Sequence, residues 1–172
     1  MTLASIIEKE GKRIGIINVC EHEYSYALPD RIGVNPYNPY LTMHDIRALK
    51  KQVDYVIVLY HGGKEHCRYP SPRLRFLCRE MVENGASVVI TQHSHCIGCY
   101  EEYEGGHIVY GQGNFHFCWK NMAESWYTSL LIELSINDKL EINFIPIVTK
   151  EKGIDIAKNP IPIAPAAHYS MG

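Results

Sequence analysis

The sequence contains no apolar run long enough to cross a bilayer. Its apolar stretches, such as those at 56–59 and 87–90, have the length of strands and fall far short of the ~20 residues of a membrane helix. No transmembrane segment is expected. A basic surface signature is also missing: 17 Lys and Arg stand against 19 Asp and Glu, a formal net charge of −2, and the cations occur in short pairs. That balance excludes a dedicated nucleic-acid binder, which needs a patch of cations to displace counterions from phosphates. The opening stretch MTLASIIEKEGKR carries charges where a secretory leader needs an apolar core of about 7 to 15 residues, so the chain as given is expected to be cytoplasmic. With no such leader, the six cysteines read as reduced thiols rather than a disulfide framework. A chain of 172 residues makes one domain and buries roughly 70% of its unfolded surface, so a metal is not needed for stability and must be argued from chemistry.

What is present is a βαβ pattern. The run at 13–19 is short, apolar and rich in β-branched residues, and reads as a buried strand. A Pro- and Tyr-rich loop follows from Cys20 to Tyr40. Thr42 is a candidate cap for a helix to about Gln52, which feeds a strand over 54–60. Ser71-Pro72 signals a second helix start, with an apolar stripe at Leu74, Leu77, Cys78, Met81 and Val82 and a stop at Gly85. The strand 86–91 comes next. Strand, helix, strand with continuous apolar runs marks a parallel unit covered on both faces, whose ligand crevice lies beyond the strands' carboxyl ends. Downstream, two antiparallel hairpins are expected, the first turning at Gly105-Gly106 and the second running from Trp126 to Val148 with a turn at Asn137-Asp138. The tail, 153–172, reads as irregular, clamped by the isoleucines at 154, 156, 161 and 163.

Nine histidines are an unusual count, and they are not scattered. His61 stands directly after the strand 54–60, and His93 and His95 stand just after the strand 86–91. Three imidazoles therefore leave the same edge of neighbouring parallel strands, and His93 and His95, two apart, share a face if the backbone is extended. Converging neutral nitrogens on rigid strand ends are what a metal requires. Glu65, four residues past His61, is placed to add an oxygen ligand or to orient a histidine. The competing reading is of ordinary hydrogen-bonded histidines, and it is adopted for His22, His44, His66, His107 and His168; His116, after Asn114-Phe115, is placed to approach the site. Cys96-Ile-Gly-Cys99 is either a pair of buried thiols, part of a His/Cys zinc site, or a redox pair.

These pieces together resemble a family. DYVIVLYHGGKE (54–65), SPRLRFLCREMVENGASVVITQHSH (71–95) and IVYGQGNFHF (108–117) are similar, in order, to the strand with a His-x-Gly-x-Glu motif, the helix and strand ending in Gly-His-x-His, and the Gly-Asn-Phe segment of the bacterial CapA-type capsule synthesis proteins of poly-γ-glutamate. IIEKEGKRIGIINVCE (6–21) resembles the strand that precedes them. That family is a branch of the calcineurin-like metallophosphoesterase superfamily.

The resemblance implies an α/β class, a metallophosphoesterase-like sandwich of βαβ units followed by antiparallel hairpins. It implies a divalent metal (Mn, Zn or Fe), with His61 and His93 on one ion and His95 on another. Glu65 and Asn114 become the residues assigned to catalysis, and a phosphoester or polyanionic polymer-related molecule becomes the substrate. Gln92 replaces the glycine of Gly-His-x-His and Ser87 the aspartate at the strand entry. The superfamily's Asp-x-His, Gly-Asp and Asn-His motifs have no counterpart ahead of 13–19. The chain is thus expected to be the carboxyl-terminal portion of such a domain, a metal-dependent hydrolase completed by an N-terminal half or by a second copy. Family members are often exported and membrane-associated. The alternatives are a non-catalytic binding or assembly component of surface-polymer synthesis and a small His/Cys zinc protein.

Overall fold

The computed structural model describes residues 4–21, 26–137 and 139–166. The first hairpin pairs β1 (Ser5–Lys9) with β2 (Lys12–Cys20) across a tight turn at Glu10 and Gly11. β2 then lies parallel to β3 (Tyr55–His61), and β3 parallel to β4 (Val88–Gln92). Two 12-residue helices make the crossovers: α1 (Pro39–Lys50) between β2 and β3, and α2 (Pro72–Glu83) between β3 and β4. Each begins with proline at its first turn, where the missing N–H costs nothing, after a side chain that caps a free backbone N–H. Ser71 accepts from the Leu74 N–H and Asn38 from the Leu41 N–H.

β5 (Tyr100–Tyr103) and β6 (Gly106–Val109) form the next hairpin, with β6 added parallel to β4, giving a six-stranded sheet in the order β1-β2-β3-β4-β6-β5. A second, antiparallel sheet follows, β7 (Thr128–Ile136), β8 (Leu140–Lys150) and β9 (Gly153–Ile156). The central strands are sandwiched. On one face Val56, Val58, Tyr60 and Val89 pack against Met43, Ile46, Leu77, Cys78 and Met81 of the helices. On the other, Ile14, Ile57, Val88, Ile90 and Val109 meet Ile132, Leu134, Ile142 and Phe144 of the second sheet. Burial on both faces explains the unbroken apolar runs of β3 and β4; each such side chain withdrawn from water contributes about 1.5–3 kcal/mol. The α/β class and its order of βαβ units then hairpins are as expected from the sequence.

Four local expectations are corrected. The α1 cap is Asn38, not Thr42, which is buried one turn into the helix and whose Oγ1 accepts from the Asn38 N–H. The first hairpin after β4 turns one residue earlier, at Glu104-Gly105, where both residues have positive φ. The tail is not irregular throughout: residues 153–156 form β9, and the backbone of Ala164 and Ala166 pairs with Tyr100. Nor do the isoleucines clamp it uniformly, since Ile156 is exposed while Ala164 and Ala166 pack on the core. Of the expected second-hairpin turn, Asp138 lies outside the described residues, as do His22 and His168.

Candidate metal centre

The carboxyl ends of β3 and β4 bring His61 and Gln92 into register, so the two chain segments leaving the sheet start side by side. Backbone hydrogen bonds then tie them together beyond the strands, from Gly62 N–H to Gln92 O (3.0 Å) and from His66 N–H to Ser94 O (2.8 Å). Gly62 is needed for this approach. A Cβ there would lie 2.7 Å from the Tyr60 ring and 2.9 Å from Glu21. Glu21, at the end of β2, is buried beneath the loop and accepts hydrogen bonds from the Tyr60 hydroxyl and Arg73, while its N–H donates to His61 O at 2.8 Å. Burial, and then the hydrogen bond to Glu21, pushes the Tyr60 hydroxyl far above its usual range, so it stays a donor.

On this support Glu65, His93 and His95 converge, each offering one ligand atom within 4.8 Å of the others. Glu65 Oε1 stands 3.7 Å from His93 Nε2 and 3.9 Å from His95 Nε2. These separations are too long for hydrogen bonds. They approach the roughly 3–3.5 Å that separates two atoms bonded to one ion at about 2.0–2.2 Å. The ring of His61 lies 5.0 Å from that of His93, and the rings of His93 and His95 are 5.7 Å apart.

His95 is held most firmly. Its Nδ1 is 2.8 Å from Asn114 Oδ1, and the Asn114 amide nitrogen donates to Trp126 O at 3.1 Å. The Trp126 carbonyl can only accept, so the amide nitrogen must face it and Oδ1 must face the imidazole. In neutral His95 the hydrogen therefore sits on Nδ1, and the Nε2 lone pair points toward Glu65. Trp126 also stacks on the ring at 4.7 Å, with Phe117 at 5.9 Å. The residues present fit a divalent ion: imidazole nitrogens and one carboxylate, with a buried amide fixing a ligand's tautomer.

The convergence of His93 and His95 does not arise from extended backbone, as their spacing suggests it should. His93 (φ 101°) and His95 (φ 55°) both lie in the left-handed region, as does His66 (φ 56°). The other non-glycine residues there among those described, Glu10, Glu104 and Asn121, sit in turns. Such conformations cost on the order of 1–3 kcal/mol each and persist only when the surroundings impose them.

The remaining histidines divide clearly. His66, read from the sequence as a loop residue without a role, lies at the site, its ring 6.2 Å from His95 and 5.9 Å from Trp126. His44 pairs with Asp45 and His107 with the Tyr100 hydroxyl, while His116 approaches Cys118 Sγ at 3.5 Å. Cys96 and Cys99 are buried and stand outside the Glu65, His93, His95 group. Burial raises both thiols, Cys99 to about 11, which keeps them protonated. Trp126 and Phe117 are site residues that sequence reasoning misses. Their only sequence signal is nearness to the Gly-Asn-Phe segment, for Phe117, and the rarity of tryptophan, of which there are two.

Comparison with known proteins places the chain among capsule synthesis proteins. The PGA biosynthesis protein CapA of Bacillus subtilis (strain 168) is 38% identical over 85 residues, 49% of this chain and 22% of that protein. The capsule biosynthesis protein CapA of Bacillus anthracis is 38% identical over 95 residues, 53% of this chain and 23% of that protein. The chain thus spans under a quarter of these relatives' length. A crystal structure of a hypothetical protein from Thermus thermophilus shares the fold at a TM-score of 0.50 and 12% identity, over 83% of this chain and 60% of that one. No helix among the described residues is long and apolar enough to cross a membrane. The profile of the bacterial capsule synthesis protein family PGA_cap matches residues 2–118, a stretch that runs from β1 through His61, Glu65, His93, His95 and Asn114. The chain belongs to that family.

Proposed function

We propose that this chain serves capsule or poly-γ-glutamate biosynthesis as a metallophosphoesterase-like component, with a divalent ion (Mn, Zn or Fe) held by His93, His95 and Glu65 and flanked by His61. One observation carries the reading. His95 Nε2, an acceptor in the neutral ring, and His93 Nε2 stand 3.9 and 3.7 Å from the same Glu65 oxygen, a convergence of ligand atoms that suits one cation. A divalent ion bound there supplies positive charge to a phosphoester's oxygens and lowers the pKa of a water toward about 7. The chain's own residues do the holding and aiming. Asn114, buried and bonded at both ends of its amide, acts through His95 and is a positioning residue rather than a catalytic one. Glu65, half-exposed, is the carboxylate that meets both the ion and incoming substrate.

A second reading, binding without turnover, is favoured by the ligand inventory: among the described residues the group holds a single carboxylate. Clamping two ions across a phosphoester would draw further anionic ligands from a complementing N-terminal segment or a second copy. Hydrolysis of bis(p-nitrophenyl) phosphate with added Mn²⁺ separates the two. Metal-dependent release of p-nitrophenol that disappears in His93→Ala supports the hydrolase; background rates with Mn²⁺ demonstrably bound support the binding role.

A further inference from the structure

Beside the His/Glu group, residues 115–120 carry three large aromatic side chains that face solvent: Phe115 (53% exposed), Phe117 (44%) and Trp119 (62%). The segment is anchored by its backbone. Thr149 Oγ1 donates to Phe115 O (3.2 Å), Trp126 Nε1 to Phe117 O (2.8 Å) and the Tyr127 hydroxyl to Trp119 O (2.5 Å). Alternate carbonyls are thus pulled inward by side chains of the second sheet and its approach, and the aromatic rings on those same residues turn outward. Fixing a loop so that it displays rings to water sacrifices the burial those rings would otherwise gain. Exposed apolar surface held in place in this way marks a recognition surface.

The rings are continuous with the candidate centre. Phe117 lies 5.9 Å from the His95 ring, 5.2 Å from Trp126 and 6.0 Å from Trp119, and with Trp119 and Lys120 it lines an open groove of about 490 Å³. Phe117 and Trp119 are inclined at 39°, so they form a stepped surface open on one side, not a parallel slot that would clasp a flat base between two faces. A sugar ring suits such a surface: its C–H groups, slightly positive, lie on the negative face of one aromatic ring while its hydroxyls remain in water.

We propose that Phe117 and Trp119 form a platform for the sugar ring of a glycosyl phosphate whose phosphate group sits at Glu65, His93 and His95. The proposal rests on the metal reading above, because without a cation Glu65 would repel the phosphate. Lys120, in the groove wall, adds the one positive side chain among the groove's lining residues.

The test is calorimetric binding to the whole chain with Mn²⁺ present, using α-D-glucose 1-phosphate, methyl phosphate and adenosine monophosphate as probes. The sugar phosphate should bind about tenfold tighter than methyl phosphate, and Trp119→Ala with Phe117→Ala should bring the ratio to about one. Mn²⁺ affinity should not change in Trp119→Ala alone, and Trp119→Phe should retain most of the preference. Equal affinities for the two phosphates in the unmodified protein would overturn the proposal, as would a ratio that survives the double substitution or a preference for the nucleotide. So would a dimer, seen by sedimentation, that depends on these two rings while no sugar preference exists. Failure of the unmodified protein to bind Mn²⁺ would contradict the metal reading itself, and the platform would fall with it.

Discussion

Two carboxylates in this molecule sit in opposite situations. Glu101, on β5, is buried and receives hydrogen bonds from Arg79, Arg75 and the Tyr110 hydroxyl. Glu65, on the loop after β3, is half-exposed and faces two imidazole nitrogens across gaps too wide for hydrogen bonds. Both Glu101 oxygens are matched by donors, while Arg75 Nε, buried beside them, has no hydrogen-bond partner among the described residues, and the Arg79 guanidinium also lies over the Tyr103 ring at 4.5 Å. Around Glu65 no donor among the described residues is within hydrogen-bond distance, and neutral His95, with its hydrogen on Nδ1, presents an acceptor to the carboxylate. The matched network ties α2 to the strand pair β5 and β6, whereas the group at Glu65 sits on backbone that is left-handed at His93 and His95. The contrast separates polar residues that build the fold from those proposed to hold an ion.

The largest effect should come from the matched side. Glu101→Gln removes the charge that two buried or half-buried arginines share, and should cost about 3–5 kcal/mol in urea unfolding while leaving Mn²⁺ affinity unchanged. The same group sets an acid limit. Burial pushes its carboxyl up, but hydrogen bonds from Arg79, Tyr110 and Arg75 outweigh that and hold it below the usual carboxylate range. A lowered folded-state value means the unfolded chain takes up the proton first, so the stabilisation is full above the ordinary carboxylate range and is lost as pH falls through the folded value. Urea midpoints measured between neutrality and about pH 3 should therefore drop more steeply on the acid side for the natural protein than for Glu101→Gln. Parallel curves would break the comparison.

A smaller effect is expected at the Glu65 side. Asn114→Ala frees the His95 ring to adopt the other tautomer and should weaken Mn²⁺ binding by about 10- to 100-fold in calorimetry, with little loss of hydrolysis beyond that explained by metal occupancy. An unchanged affinity would show that Asn114 serves packing alone.

Much of this is legible in the sequence, and what is not has physical reasons. β3, β4 and α2 announce themselves because burial on both faces demands unbroken apolar runs and because Ser71-Pro72 is a strong helix start. β1 does not, since it is a fully exposed edge strand whose Glu8 and Lys9 mask its pairing. Placing His61, His93 and His95 at one edge follows from strand direction, but their manner of meeting does not. It depends on left-handed backbone at His93 and His95, which is imposed by the cross-loop hydrogen bonds rather than encoded by their own residue types. His66 escapes sequence reasoning for the same reason, its positive φ turning it toward Trp126. The aromatic wall of His95 comes from residues far along the chain, Phe117 and Trp126, and only the packing of the two sheets brings the latter there.

The central claim is that Glu65, His93 and His95, flanked by His61, hold a divalent ion. It is tested most directly by metal content, measured by inductively coupled plasma mass spectrometry after Mn²⁺ or Zn²⁺ loading and exhaustive dialysis. The natural protein and a Cys96→Ser, Cys99→Ser variant should both retain metal, and the His61→Ala, His93→Ala, His95→Ala variant should lose it while keeping its helical and strand content. Metal retained in full by the triple histidine variant, or lost on removal of the two cysteines, would contradict the account.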